Sequence, residues 1–382
     1  MPPVYFDHNA TTPLDERVWQ AMLPYFQQHY GNASSRHEYG RIARQAIDES
    51  RERVAASVGA HPSQVVFVSG GTEANNLLIK GAAAWLKPAQ IAVSAVEHPS
   101  VVRPAQELIQ HGWKLRKIAV DGQGRLDLQD AESALQEPTG LVSVMLANNE
   151  TGVLQPVAEV AEMARKSGAL MHVDAVQALG KAKLAFSELN VHALTLSAHK
   201  IYGPKGAAAL VIDKRVELKP LISGGGHERG LRAGTENVPA IVGFGVACEL
   251  ATQSLAQTAA RIHQMRVKLE TGLGAFGAVV FGSATERLSN TSYFSFSGID
   301  GETMVMELDR AGFAVASGSA CSSGSADPSQ VLMAMGVERE LARGAVRVSL
   351  GKDNTDAQID VFLQSLQGVL ARLKRLSAVA AV

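Results

Sequence analysis

The sequence has few cysteines and no excess of charge. Cys248 and Cys321 are the two cysteines among 382 residues, which excludes a disulfide scaffold and a cysteine metal cage. With 36 basic and 37 acidic side chains, the chain lacks the basic surface that nucleic-acid binding requires, so we expect no nucleic-acid partner. The eleven histidines show no H-E-x-x-H or other close metal spacing. We therefore expect no metal site.

Long apolar runs are also missing. The first residues, "MPPVYFDHNATT", contain neither the basic nor the apolar segment of a signal peptide, and no apolar run reaches the length of a membrane span. These features predict a soluble, cytoplasmic protein without a membrane partner. A chain of this length exceeds one ordinary hydrophobic core, so we expect two domains.

Short β-branched runs alternate with helical patterns from Val65 to about Ser254. This alternation indicates an α/β domain whose sheet is mostly parallel, with crossover helices. Beyond Ser254 the pattern changes to a long helical stretch, short strands and a final helix, which indicates a smaller α+β domain. We assign residues 15–257 to the large domain, and residues 1–14 and 258–382 to the small one.

One glycine pattern imitates a dinucleotide-binding motif. Gly272, Gly274 and Gly277 fit G-x-G-x-x-G, but that motif needs a strand before it and a helix after it. Here the predicted order is reversed. We interpret the glycines as a helix terminus that leads into a strand.

Unusual polar residues follow five predicted strands. Each alone could be a helix cap or a turn. Ligands of open α/β sheets bind beyond the carboxyl ends of the strands, so these residues should share one rim. The segments after the strands are Gly70-Gly71-Thr72, Glu97-His98, Asn148-Asn149-Glu150, Asp174 with Gln177, and Ser197 with His199 and Lys200.

The chemistry of this rim fits one cofactor. A strand, Gly70-Gly71-Thr72 and a helix predicted to begin near Glu73 form a cradle for phosphate. Lys200, at a rim of low dielectric, should have a lowered amine pKa, which favours condensation with an aldehyde. Asp174 can keep a pyridine nitrogen protonated, and the ring of His98 can stack. Together these groups describe a site for pyridoxal phosphate.

The chain resembles the cysteine desulfurases of the NifS/IscS kind, which belong to the class-V aminotransferases. The resemblance rests on motifs spread in the family's order over nearly the whole length: "DHNATT", "GNASSRHEYGR", "SGGTEANN", "EHPSV", "NNETG", "DAVQ", "SAHKIYGPKG", "GGGHERGLRAGTEN", "SGSACSSGS" and "RVSLG". It implies the aspartate-aminotransferase-like fold, fold type I of the pyridoxal-phosphate enzymes, with a mostly parallel seven-stranded sheet in the large domain.

The resemblance also implies roles around the cofactor. Lys200 would form the internal aldimine, Asp174 would pair with the pyridine nitrogen, and Gln177 would bond the ring hydroxyl. His98 would stack on the ring and take part in catalysis. The phosphate would be held by Gly71, Thr72, Ser197 and His199.

Further matched positions concern the substrate and a second subunit. Asn149 would meet both cofactor and substrate, and Arg347 would grip the carboxylate of L-cysteine through two hydrogen bonds. Thr235 matches a threonine that reaches the phosphate of the neighbouring subunit. A homodimer with its sites at the interface is therefore implied.

The two cysteines lie in contrasting surroundings. Cys321 lies in "ASGSACSSGSADPS", whose small residues predict an exposed, mobile loop that matches the family's longer-loop group. Cys248 lies in an apolar helical run and is predicted to be an inert core thiol. By resemblance, Cys321 takes the sulfur of L-cysteine as a persulfide, L-alanine is released, and the sulfur passes to an acceptor or iron-sulfur scaffold protein.

Three other readings stay open at this point. A selenocysteine lyase or an aminotransferase would share Lys200 and Asp174 without needing Cys321. A nicotinamide-dependent reductase would rest on the glycine pattern alone. A catalytically silent binding protein would keep the ligand but not the reaction.

Overall fold

The computed structural model describes residues 3–318 and 327–380. Cys321 and the centre of its predicted loop lie outside these residues. The helices, in chain order, are α1 (Glu16–Gln27), α2 (Glu38–Ser57), α3 (Gly71–Ala83), α4 (Pro99–Glu107), α5 (Leu128–Ala134), α6 (Val157–Ser167), α7 (Phe186–Leu189), α8 (Val238–Ala275), α9 (Gly301–Arg310), α10 (Gln330–Ala334), α11 (Arg339–Arg343) and α12 (Asp356–Ala380).

The strands are short, and six of the thirteen described are buried at every residue. They are β1 (Val4–Tyr5), β2 (Val65–Val68), β3 (Gln90–Ser94), β4 (Lys114–Ile118), β5 (Thr139–Met145), β6 (Leu170–Asp174), β7 (Ala193–Ser197), β8 (Ala208–Ile212), β9 (Val279–Val280), β10 (Thr291–Ser295), β11 (Phe313–Ala314), β12 (Ala316–Ser317) and β13 (Val346–Ser349).

The described residues form a seven-stranded central sheet with the order β2-β8-β7-β6-β5-β3-β4. Its strands run parallel from β7 to β4, while β8 is antiparallel to both neighbours, which confirms the predicted mostly parallel sheet. Strand β8 is antiparallel because the segment between Lys200 and β8 is too short to contain the crossover helix that a parallel connection needs. The carboxyl ends of β3, β5, β6 and β7 therefore lie along one edge.

Helix α8 is the longest element and packs beside α1 and α2. Its close approach to α2 requires glycine, because a Cβ on Gly245 would lie 2.9 Å from the Cα of Ser50. Among the described residues, α8 is the one helix long and apolar enough to cross a membrane, but half of its most apolar stretch is buried inside the fold. The place of α8 in the core of the fold accounts for its apolar composition.

The second part of the chain has its own core. Strands β12-β13-β10-β9 form one antiparallel sheet, and β1 pairs with β11. Phe6 packs with Phe313 and Phe362 in this core, so the start of the chain joins its end. This packing supports the proposed domain assignment, although α8 runs without interruption through the predicted boundary at residues 257 and 258.

The glycine pattern lies where the sequence predicts. Gly272 and Gly274 belong to the last turns of α8, and Gly277 follows with a φ of 82° just before β9. The interpretation as a helix terminus is confirmed.

Candidate active site

A cavity of about 370 Å³ opens at the carboxyl ends of the central strands, within the size range of small-molecule sites. Of the predicted site residues, all but Thr235 and Cys321 line it. They are Gly71, Thr72, His98, Asn149, Asp174, Gln177, Ser197, His199, Lys200 and Arg347.

Lys200 enters the cavity from the turn after β7. A short 3-10 segment, Ala198–Lys200, ends the strand and carries the lysine over the rim. Its Nζ donates to the backbone carbonyl oxygens of Asn9, at 2.6 Å, and Ala10, at 2.7 Å. The amine is thus held against the N-terminal segment at the floor of the cavity.

Asp174 ends β6 and is 7% exposed. Its Oδ2 accepts from Nδ2 of Asn75 at 2.8 Å, and its Oδ1 accepts from the backbone N–H of Val176 at 3.0 Å. Two donors fix the orientation of the carboxylate, and each oxygen keeps a further lone pair for a ligand. A protonated ring nitrogen suits this acceptor.

His98 is the N-cap of α4. The backbone N–H of Ser100 donates to its Nδ1 at 3.1 Å, so the proton of the neutral ring lies on Nε2. Burial lowers the pKa of His98, and the positive charge of Lys200 lowers it further against the opposing effect of Asp174. Asn75 also donates to the Oγ of Ser100, at 2.8 Å, and so connects the supports of Asp174 and His98.

The phosphate end of the cavity is formed by the start of α3. This helix begins at Gly71, two residues before the predicted Glu73, and Gly70 at its N-cap brings no side chain to its free N–H groups. The Oγ of Ser197 is buried without a hydrogen-bond partner in the described part of the chain. A buried, unpaired hydroxyl beside a helix N-terminus fits a phosphate.

His199 completes this end as a neutral ring. Its Nδ1 lies 3.1 Å from the Oγ1 of Thr11. Burial, aided by the positive charges of Lys200 and Lys205, lowers the pKa of His199 to about 4.

Arg347 brings a fixed guanidinium from β13. Its Nη2 donates to Oδ1 of Asp7 at 2.7 Å, and its Nη1 donates to the carbonyl oxygen of Asn149 at 2.9 Å. Its Nε is buried and lacks a partner among residues 3–318 and 327–380. The unpaired donor suits a substrate carboxylate.

Two predicted residues are not in the cavity wall. Thr235 is exposed in the segment before α8, and Cys321 lies outside the described residues. Cys248 is fully buried in α8, which confirms its predicted place in the core, and burial raises the pKa of its thiol to about 12. Within the described ranges, no group of three or more metal-ligating side chains comes together.

Several supporting residues were missed by sequence reasoning. All of them except Lys181 line the cavity themselves, and the same four fall inside the motifs already quoted, which was the available signal. They are Asp7, Asn9, Asn75, Ser100 and Lys181.

Comparison with known proteins agrees with this geometry. Residues 4–362 match the family model "Aminotransferase class-V". A cysteine desulfurase of Sinorhizobium fredii is 45% identical over 379 residues, covering 98% of each chain. "Cysteine desulfurase IscS 1" of Archaeoglobus fulgidus is 43% identical over 376 residues, again covering 98% of each chain.

Solved structures show the same fold. A "NifS-like protein" superposes with a TM-score of 0.91 at 39% identity and covers 97% of this chain and 100% of its own. "SspA in complex with cysteine" superposes at 0.82 and 31% identity, covering 92% and 100%. Such matches confirm fold type I and a pyridoxal-phosphate cofactor, and they argue against the nicotinamide-dependent alternative. The chain belongs to the class-V aminotransferase family and, within it, to the NifS/IscS-like cysteine desulfurases.

Proposed function

We propose that this enzyme removes the sulfur of L-cysteine, releases L-alanine and keeps the sulfur as a persulfide on Cys321. The observation that carries the proposal is the meeting of Lys200, Asp174, His98 and Arg347 around one cavity. The similar protein SspA has been solved in complex with cysteine, which supports the choice of substrate.

The cavity residues divide the work of holding pyridoxal phosphate. The start of α3, with Thr72, Ser197 and His199, would hold the phosphate, and Asp174 would hold the ring nitrogen; all of these residues line the cavity. Gln177 would bond the ring hydroxyl, and His98 would stack on the ring. When bound, the cofactor supplies an aldehyde for the substrate amine and a ring that withdraws electrons from Cα.

The remaining groups bind the substrate and move its proton. Arg347 and Asn149 hold the substrate carboxylate, which fixes Cα relative to the amine of Lys200. The Nζ of Lys200 then takes the Cα proton as a general base. The carbonyl oxygens of Asn9 and Ala10 accept from this amine and so keep it within the cavity.

Sulfur transfer balances without an outside oxidant. The sulfur-carbon bond of the substrate breaks, a sulfur-sulfur bond forms at Cys321, and the substrate β-carbon gains a proton to become the methyl group of alanine. The transferred sulfur is oxidised by two electrons and the β-carbon is reduced by two. To free Cys321, either a thiol reductant reduces the persulfide and releases sulfide, or an acceptor thiolate attacks the outer sulfur and takes it over as a new persulfide.

We also propose an oligomeric state, a cellular location and a destination for the sulfur. The exposed position of Thr235 suits a homodimer in which each copy contributes to the phosphate site of the other. We place the enzyme in the cytoplasm, where it would supply sulfur to an acceptor protein for iron-sulfur cluster assembly or other thio-cofactors.

The test compares the two cysteines in the holoenzyme. Cys321→Ala should keep the visible absorption of the bound cofactor but lose sulfide release from L-cysteine in the presence of a thiol. Cys248→Ala, at the buried cysteine, should release sulfide and alanine at the wild-type rate. Undiminished sulfide production by Cys321→Ala would overturn the role of that residue.

Two further assays address the cofactor lysine and the rival activities. Lys200→Ala should be inactive, and full activity in that variant would remove Lys200 from the mechanism. Turnover of L-selenocysteine or of an oxo-acid acceptor, without turnover of L-cysteine, would favour a selenocysteine lyase or an aminotransferase instead.

A further inference from the structure

Lys181 lies directly behind the cofactor cavity and has no part in the mechanism above. It follows Asp174 and Gln177 on the turns after β6, and with Lys200 it lines a second cavity whose apolar wall comes from α8. Its Nζ donates to Oε1 of Gln177 at 2.8 Å and to Oδ1 of Asn9 at 3.2 Å.

These two hydrogen bonds fix the direction of two side-chain amides. Burial and the positive charges of Lys200 and Arg347 lower the pKa of Lys181 to about 7. Its Nζ carries at least two hydrogens in either protonation state, and it donates them to the oxygens that Gln177 and Asn9 turn toward it. Their NH₂ groups therefore face away from it. The Nε2 of Gln177 donates to the carbonyl oxygen of Asn9 at 2.9 Å, at the cavity wall where the cofactor ring hydroxyl would lie.

Asn9 connects Lys181 to the substrate end of the cavity, where Asn149 and Arg347 lie. Its Nδ2 donates to the Oγ1 of Thr291 at 2.8 Å and to the carbonyl oxygen of Asn149 at 3.2 Å. That carbonyl also accepts from Arg347. A reversed Asn9 amide would place an oxygen against these acceptors, with a repulsive contact at the residue that positions Arg347.

We propose that Lys181 is a positioning residue that sets the amide direction of Gln177 and so aligns a donor for the cofactor ring oxygen. Lys181 shares the support of Asn9, and through it of Arg347, with Asn290, whose Nδ2 donates to the same Oδ1 of Asn9 at 3.0 Å. This inference rests on the proposed roles of Gln177 and Arg347. No other residue in the described part of the chain donates to the Oε1 of Gln177.

The test uses three variants at matched positions. Lys181→Met keeps the length of the side chain but removes the donor, and Lys181→Arg keeps a group that only donates. Lys183→Met is the control, because Lys183 is an exposed lysine two residues away that pairs with Glu188. Cofactor retention is measured by equilibrium dialysis of the holoenzyme, and KM and kcat are measured with L-cysteine.

Lys181→Met should weaken cofactor retention about tenfold and raise KM about tenfold, the usual effect of losing one hydrogen bond to a charged group. Lys181→Arg should restore both to within about threefold of the wild type, while Lys183→Met should leave both unchanged. Wild-type retention and KM in Lys181→Met would overturn the proposal. A loss of about tenfold or more in Lys181→Arg would also overturn it, and that measurement still decides the question if the methionine variant fails to fold.

A double variant separates positioning from general stability. If Lys181 acts through Gln177, then Lys181→Met should add little to the loss of cofactor retention caused by Gln177→Leu. Additive losses would contradict the proposed route. Because dialysis reports binding without turnover, it still tests Lys181 if the wild-type enzyme produces no alanine, an outcome that would refute the proposed function instead.

Discussion

Glu97 is a buried carboxyl group beside the cofactor site, and replacing it with glutamine should stabilise the protein at alkaline pH. Its Oε1 accepts from the Oγ of Ser94 at 2.5 Å and from the backbone N–H of Met145 at 2.6 Å, whereas its Oε2 has no partner in the described ranges. Burial raises the pKa of Glu97 to about 8, and the negative charge of Asp174 adds to the rise against the effect of these two donors.

The raised pKa gives the sign and the size of the effect. The folded protein keeps the Glu97 proton up to about pH 8, while the unfolded chain releases it near the usual value of 4.5. Stability contributed by this proton is therefore present at low pH and is lost as the pH rises toward the folded pKa. Between about pH 6 and pH 8 the loss is about 2 kcal/mol.

Glutamine keeps the shape and the accepting oxygen but does not titrate. Over the same pH interval, the melting temperature of cofactor-free wild type should fall by about 2–3 °C more than that of Glu97→Gln, given the entropy of unfolding expected for a chain of this length. The measurement is a thermal melt followed by circular dichroism at both pH values. Glu52→Gln, at an exposed position of α2, controls for the loss of one negative charge. Equal pH dependence in the wild type and Glu97→Gln would refute the reasoning.

Two other predictions concern buried groups near and far from the site. In the folded Cys321→Ala variant, Cys248 should resist labelling by iodoacetamide, and it should react once guanidinium chloride unfolds the chain. Mass spectrometry measures the labelling. Rapid labelling of the folded protein would contradict the burial of this thiol and its raised pKa. Asn75→Ala should lower the free energy of unfolding of the cofactor-free protein by about 2–4 kcal/mol, because it removes one donor from a buried carboxylate and another from a hydroxyl. A urea titration measures the free energy of unfolding of this variant and of its control, Asn76→Ala, at the partly exposed neighbour on α3. Asn76→Ala should lower that free energy by less than about 1 kcal/mol. Equal losses in the two variants would show that the loss comes from helix α3 and not from the contact with Asp174.

The sequence alone predicts the strands and the edge at which their polar ends meet. Short runs of β-branched residues indicate buried strands, and a residue that directly follows a strand lies at the carboxyl edge of the sheet. For this reason Asp174 and His98 could be assigned to one site before any coordinates. The antiparallel direction of β8 is harder to predict from the sequence, because it depends on the length of the single turn that precedes this strand.

The supports behind the site could not be predicted in the same way. Asn9 meets Lys181 across 172 positions of sequence, and no local pattern reports such a contact. Asn75 and Ser100 lie within recognisable motifs, but an asparagine or a serine near a helix start also serves as an ordinary cap. Only the folded structure distinguishes these roles.

The continuity of α8 determines how the two parts of this enzyme can move. With 38 residues the helix is about 57 Å long, and it contributes Phe244 to one core and Leu269 to the other. A rocking motion between the parts would have to bend this rod and stretch its backbone hydrogen bonds, since no loop interrupts it at the border. We therefore expect the separation between Arg347 and Lys200 to change little when the amino acid binds, because the helix that joins the two cores resists bending.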